Sequence, residues 1–249
     1  MLSFAIFFVV GVTAYSQVYQ RLLAARNEEI LRRSSRWFPD VGIPLFFAAT
    51  ALGVWSMGVI ANPSNPDYVI PLLVEEVTGP FVTGVVMASA VASLMPTTDS
   101  VVLTLGSMAS RGIYRKYLNH DTDEAREVGV GQAILLVVLG VSLVFSFFQP
   151  AGIFSLAEFA VAGFAATAPA LFLSLYWQRA TKVGAMASMV VATPVMVGFF
   201  SGSIPATYRF GLHYGFVGLV VSAPVFVVAS WVTSIPSSNT VRSFVKSAD

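Results

Sequence analysis

PFVTGVVMASAVASLMPTTDSVVLTLGSMASRGIYRKY, residues 80 to 117, begins at a proline, runs through apolar, small and hydroxylated residues, and ends at Arg111, Arg115 and Lys116. The stretch is longer than the ~20 residues a helix needs to cross hydrocarbon. At about 100° per residue, Ser89, Ser93, Thr97, Ser100, Thr104 and Ser107 fall on one face of such a helix and form a polar stripe. A single hydroxyl in a membrane helix has a simple explanation: it bonds its own preceding carbonyl or lets a neighbouring helix approach closely. Six on one face beside Asp99 point further, because a carboxylate at membrane depth is costly and marks an ion path or a functional pair. Hard cations such as Na⁺ take oxygen ligands, which hydroxyl, carboxylate and carbonyl groups supply.

Outward from this stretch, long apolar runs alternate with short charged gaps. The runs are approximately 1–17, 41–61, 78–108, 128–148, 153–177, 183–203 and 211–234, so about seven spans are expected. The chain contains 14 Lys and Arg residues, and they are not spread evenly. Arg21, Arg26, Arg32, Arg33 and Arg36 occupy the first gap; Arg111, Arg115, Lys116 and Arg126 the third; Arg179 and Lys182 the fifth; Arg242 and Lys246 the tail. Arg209 alone lies in an intervening gap. Since positive charge collects on the cytoplasmic side of short loops, the odd gaps and the C-terminus are expected in the cytoplasm and the N-terminus outside.

Composition excludes most alternatives. With 56% hydrophobic and 11% charged residues and a mean hydropathy of +0.76, the chain has too little polar surface for a water-soluble fold. The fold class is therefore all-α, a polytopic membrane bundle, and residues 1–249 form a single transmembrane domain in the cytoplasmic membrane, with the lipid bilayer as solvent. There is no cysteine, and His120 and His213 are too far apart to make a local metal motif. A net charge of +1, with cations scattered over separate loops, carries no nucleic-acid signal. No nucleotide motif or nucleophile–base pair appears, so neither an enzyme nor a cofactor is expected. Residues 1 to 15 have the length of a signal-peptide core, but no basic residue precedes them and no small-residue cleavage site follows before the arginines. Glu75 and Glu76 read as a solvated rim, Glu158 as interfacial, and the acidic DTDEARE of 121–127 as the start of a helix, where carboxylates favour the positive end of the dipole.

Pro96 adds a second reason to look at residues 92 to 100. It has no N–H for the carbonyl of Ala92, and its ring crowds the same turn. Membrane helices carry such prolines where a neighbour, water or a ligand satisfies the freed group. An ordinary proline kink and a built ion ligand both fit this position.

The residues also resemble a known family. SLMPTTDS followed by GSMASRGIYRKYL is similar to the corresponding helix of the sodium:solute symporters, and VAGFAATAPALFLSLYWQRATKVGA (161–185) and QVYQRLLAARNEE (17–29) resemble two further blocks of that family in the same order. The resemblance, to the C-terminal half of proline-, pantothenate- and sugar-type Na⁺ symporters, implies a leucine-transporter-type inverted-repeat fold with substrate and sodium held near the midplane. It places Met1 to Tyr15 at the end of the first helix of the second repeat, with two peripheral helices after that repeat. The chain then reads as a C-terminal portion of a larger transporter, and a separate N-terminal half supplying the first repeat becomes an expected partner. The implied function is secondary active symport of a small organic solute with sodium; a membrane sensor module and a transport-incompetent remnant are the alternatives.

Carried over onto matching positions, the family's sodium ligands fall on the carbonyl of Ser93 and on Pro96 and Thr97, and a second cation position falls on Asp99 and Ser100. Pro96 stands where the family usually has Ser. The carbonyl of Ala92, released by Pro96, is the expected substitute for that missing hydroxyl, and coupling to protons through Asp99 is the competing reading. Gly112 and Ser16 also depart from the pattern, standing where the family often has Asp and Pro. The solute is not legible.

Overall fold

A computed structural model describes the chain except residues 61, 62, 64, 119–122, 149–150 and 235–249, and at 19–21, 23, 118 and 124 it describes the backbone alone. Among the described residues the structure is helical, with no strand. In order, the helices are α1 (Leu2–Thr13), α2 (Ser16–Leu23), α3 (Glu28–Val59), α4 (Val69–Thr78), α5 (Pro80–Ala109), α6 (Glu124–Phe148), α7 (Ile153–Tyr176), α8 (Lys182–Phe200) and α9 (Tyr214–Val232). A more widely wound π-helical turn, Ser110–Leu118, continues α5, and short 3₁₀ turns lie at Pro66–Tyr68 and Ala206–Arg209.

Six of these helices are long and apolar enough to cross a membrane, starting from α3. The chain is thus an integral, multi-pass membrane protein built as a helical bundle. The spans expected at 78–108, 128–148, 153–177, 183–203 and 211–234 correspond to α5 to α9, with ends shifted by a few residues. The first apolar run differs, because its helix covers only 12 residues and ends at Ala14. The second is longer than its apolar part. Asn27 accepts a hydrogen bond from the N–H of Ile30, Glu28 and Glu29 occupy the first turn, and the helix starts well ahead of residue 41. At 32 residues it is about 48 Å long, enough to carry Arg32, Arg33 and Arg36 beyond the hydrocarbon. The tail cations Arg242 and Lys246, and His120, lie outside the described residues.

The chain divides into two compact units. One comprises residues 1–19 and 153–249 and holds α1, α7, α8 and α9. Its core is Phe7, Val161, Ala162, Ala165, Ala166, Ala192, Met196 and Tyr214. Glycines allow backbones to meet: a Cβ on Gly11 of α1 would lie 2.5 Å from the carbonyl oxygen of Val161 in α7, and one on Gly184 of α8 would overlap Ser230 of α9. Such contact is what holds helices together in lipid, where the tails are as apolar as the side chains. Polar links reinforce it. Ser222 of α9 donates to the carbonyl of Ala166 in α7. Thr181 caps α8 through the N–H of Gly184 and lies 2.8 Å, hydroxyl to hydroxyl, from Thr233 after α9.

The other unit is residues 20–152, with α3 to α6. Gly79 turns the chain between α4 and α5 at φ 84°, a left-handed backbone that glycine adopts without strain, and Pro80 opens α5 where its missing N–H costs nothing. The C-terminal third of α5 packs on α6, with Gly106 against Leu135 and Thr104 buried.

Candidate functional site

The polar stripe lies along α5, which together with its π-helical continuation gives a span of 38 residues, Pro80–Tyr117. The helix is continuous through Pro96, so all six predicted site residues sit within about two turns of one element. Proline supplies no N–H, and the Ala92 carbonyl therefore loses its usual partner one turn away. Ala92, Ser93, Pro96, Thr97 and Asp99 are exposed within their unit, and Ser100 is half-buried. Packing from the same unit meets α5 further along, at Thr104, Gly106 and Ser110.

Several hydroxyls of the stripe follow the simple explanation. Ser89 donates to the carbonyl of Val85 at 2.8 Å, Ser93 to Ser89 at 2.8 Å, Thr104 to Ser100 at 2.7 Å, and Ser107 to Thr104 at 3.0 Å. Thr98, off the stripe, does the same to Leu94 at 3.1 Å. A hydroxyl used this way has spent its proton but keeps oxygen lone pairs that can face a cation. The chemistry available between Ala92 and Ser100 is thus a neutral carbonyl, hydroxyl oxygens and one carboxylate. This is an oxygen-only donor set suited to a hard monovalent cation and unsuited to softer transition metals. Among the described residues, no three His, Cys, Asp or Glu side chains come together as a metal cluster.

Two further polar centres were not legible as units in the sequence. At the end of α5, Arg111 Nε and Arg115 Nη1 each stand 3.3 Å from a different oxygen of Glu127, whose side chain is only 10% exposed. The DTDEARE segment therefore contributes more than a helix start: its last carboxylate is clamped by two arginines of the π-helical continuation of α5, while residues 121 and 122 lie outside the described residues. In the other unit, Glu158 reaches His213, with Oε1 and Nε2 3.5 Å apart. Beside it the Tyr214 hydroxyl is buried and has no hydrogen-bond partner among the described residues. Partners separated by 12 or more positions leave no local spacing to read; only the cost of a carboxylate near a membrane helix start singled out Glu158.

Six helices of membrane length, one of them carrying a carboxylate and a polar stripe around a proline, define an integral, multi-pass membrane protein. The particular family is given by comparison: the profile of the Sodium:solute symporter family (SSF) matches residues 1–192, and the chain belongs to that family. Its sequence is 27% identical over 248 residues to the sodium/proline symporter of Haemophilus influenzae, a match covering 95% of this chain and 49% of that protein. It is 26% identical over 182 residues to the osmoregulated proline transporter OpuE of Bacillus subtilis, covering 72% and 36%. To the sodium/pantothenate symporter of H. influenzae it is 26% identical over 193 residues, covering 77% and 40%. The chain thus spans about half the length of these relatives or less. No solved structure matches it. The family resemblance read from SLMPTTDS and the two flanking blocks is borne out.

Proposed function

We propose that this chain serves sodium-coupled symport, the secondary active transport of a small organic solute across the cytoplasmic membrane, and that α5 carries its cation site. The observation that carries the reading is the grouping, on one membrane-length helix, of the proline-freed Ala92 carbonyl, the Thr97 hydroxyl and the Asp99 carboxylate. Membership of the symporter family and relatives named for sodium and proline or pantothenate support it.

In this reading the Ala92 and Ser93 carbonyls, Thr97 and Asp99 ligate Na⁺, with Ser100 one turn beyond. A carboxylate and a monovalent cation together are neutral. Loading the site therefore removes the isolated charge that is so costly at membrane depth, and solute movement is tied to sodium occupancy. Pro96 replaces a hydroxyl ligand by releasing a carbonyl, which keeps an oxygen in the shell. The charged gaps orient the six spans with the arginine-rich segment that opens α3 and the C-terminus both in the cytoplasm. The same carboxylate could instead accept a proton, and the test separates the two.

The chain is reconstituted in proteoliposomes with a polypeptide supplying the first repeat, and radiolabelled proline uptake is driven in turn by a sodium gradient and by a pH gradient. Sodium-driven uptake that is lost in Asp99→Asn supports the proposal. Uptake driven by pH alone, and abolished by Asp99→Asn, would assign proton coupling instead.

A further inference from the structure

His213 stands at the first turn of α9 and ties three elements together. Its backbone N–H donates to Ser3 Oγ at 3.2 Å, reaching α1. Its ring stacks on Phe7 of α1 with centroids 4.3 Å apart and planes 4° from parallel, and meets Phe4 edge-on at 5.5 Å. Nε2 faces Glu158 of α7. Nδ1 accepts the N–H of Gly215 at 3.2 Å, so the imidazole is the N-cap of α9.

That last bond sets the protonation state the fold requires. An imidazole nitrogen accepts a hydrogen bond only when it carries no proton, so the neutral ring must hold its hydrogen on Nε2, toward Glu158. Adding a proton to Nδ1 would set one donor against another, N–H facing the N–H of Gly215. It would also place a positive charge at the positive end of a helix dipole. The ionisable groups around the ring come from each neighbouring element. Helix α1 offers Ser3, Phe4 and Phe7, none of them ionisable, and the Met1 amino terminus ahead of it lines the same pocket as His213; the 3₁₀ turn offers Arg209, α7 offers Glu158, and α9 offers Tyr214. Glu158 alone favours an imidazolium. Burial first, and the Arg209 charge second, outweigh it and hold His213 below its ordinary range.

We propose that His213 is a proton-operated cap: neutral, it fastens the start of α9 to α1 and α7; protonated, it releases the Gly215 N–H and loosens that end of the unit. The inference rests on cap geometry and is independent of sodium coupling. Its sign follows from linkage. A folded-state pKa below the unfolded value of about 6.5 means the unfolded chain binds more protons, so stability is lost as pH falls through and below about 6.5.

The test uses the full chain in detergent micelles, labelled with ¹⁵N-histidine, with His120→Gln identifying the second signal. The His213 signal is expected to titrate below about 6.5. The thermal midpoint is expected to fall by about 2–4 °C between about pH 7.5 and about pH 5.5. His213→Asn, which caps without titrating but gives up the ring stack on Phe7, is expected to lower the midpoint at the higher pH and to lose the further fall toward the lower one. Titration of His213 at or above about 6.5, or an equal fall in His213→Asn, overturns the proposal. If that variant does not fold, the titration of the unsubstituted chain decides alone.

Discussion

Pro96 removes one hydrogen-bond donor from the interior of a 30-residue helix, and the consequence falls on one atom, the carbonyl oxygen of Ala92. Pro96→Ala returns the donor and relieves the crowding of that turn. It is expected to raise the thermal stability of the chain, by about 1–3 kcal/mol, measured as a shift of the unfolding midpoint in detergent. An unchanged or lowered midpoint would mean that the freed carbonyl is already satisfied. At the other end of α5, Glu127 is nearly buried while its arginine partners are 79% and 58% exposed, so water screens much of the attraction. Glu127→Gln is expected to cost only about 1 kcal/mol. High salt should shrink that difference, and a salt-independent cost would contradict the assignment to screened charge. The candidate positions on α5 stood out in the sequence because proline, carboxylate and hydroxyls lie within a few positions of one another. Glu127 was legible only as a helix-start residue, since its partners belong to the π-helical turn that continues α5, 12 and 16 positions earlier.

Elements meet closely in the unit of α1 and α7–α9, and the kind of atom at each contact decides what an added methyl would cost. A Cβ at Gly11 meets the Val161 carbonyl at 2.5 Å, a backbone atom that cannot move without shifting α7. At Gly218 the same distance is reached by the sulfur of Met196, with its Cγ at 2.6 Å, atoms of a flexible side chain that can turn aside without moving a backbone. Gly11→Ala is therefore expected to destabilise by about 1–3 kcal/mol, and Gly218→Ala by less, which paired thermal melts in detergent can rank. Equal losses would contradict the packing described. Hydropathy located α5 to α9 well because their apolar runs and helix limits nearly coincide. It misplaced the start of α3, where Asn27 and two glutamates set the boundary through hydrogen bonding rather than apolarity. It missed α4, a 10-residue helix too short to span and containing Glu75 and Glu76.

For the whole molecule, orientation is a consequence of the cation distribution and can be tested directly, because the chain has no cysteine of its own. Ser34→Cys, in the arginine-rich first gap, is expected to react with a membrane-impermeant maleimide only in inside-out vesicles. Ser203→Cys, between α8 and α9, is expected to react only in right-side-out ones. The reverse pattern would invert the topology. The family was legible from three ordered blocks of sequence, whereas the Glu158–His213 pairing was not, because it joins positions that only the folded unit brings together.

The central claim, a cation site on α5, is tested most directly by equilibrium binding of radiolabelled sodium to the chain in lipid, reconstituted with a polypeptide supplying the first repeat. Saturable binding that weakens at least about tenfold in both Thr97→Ala and Asp99→Asn is the expected result, since each removes an oxygen from the shell of a charged ligand. Sodium bound equally well by both variants would place the site elsewhere.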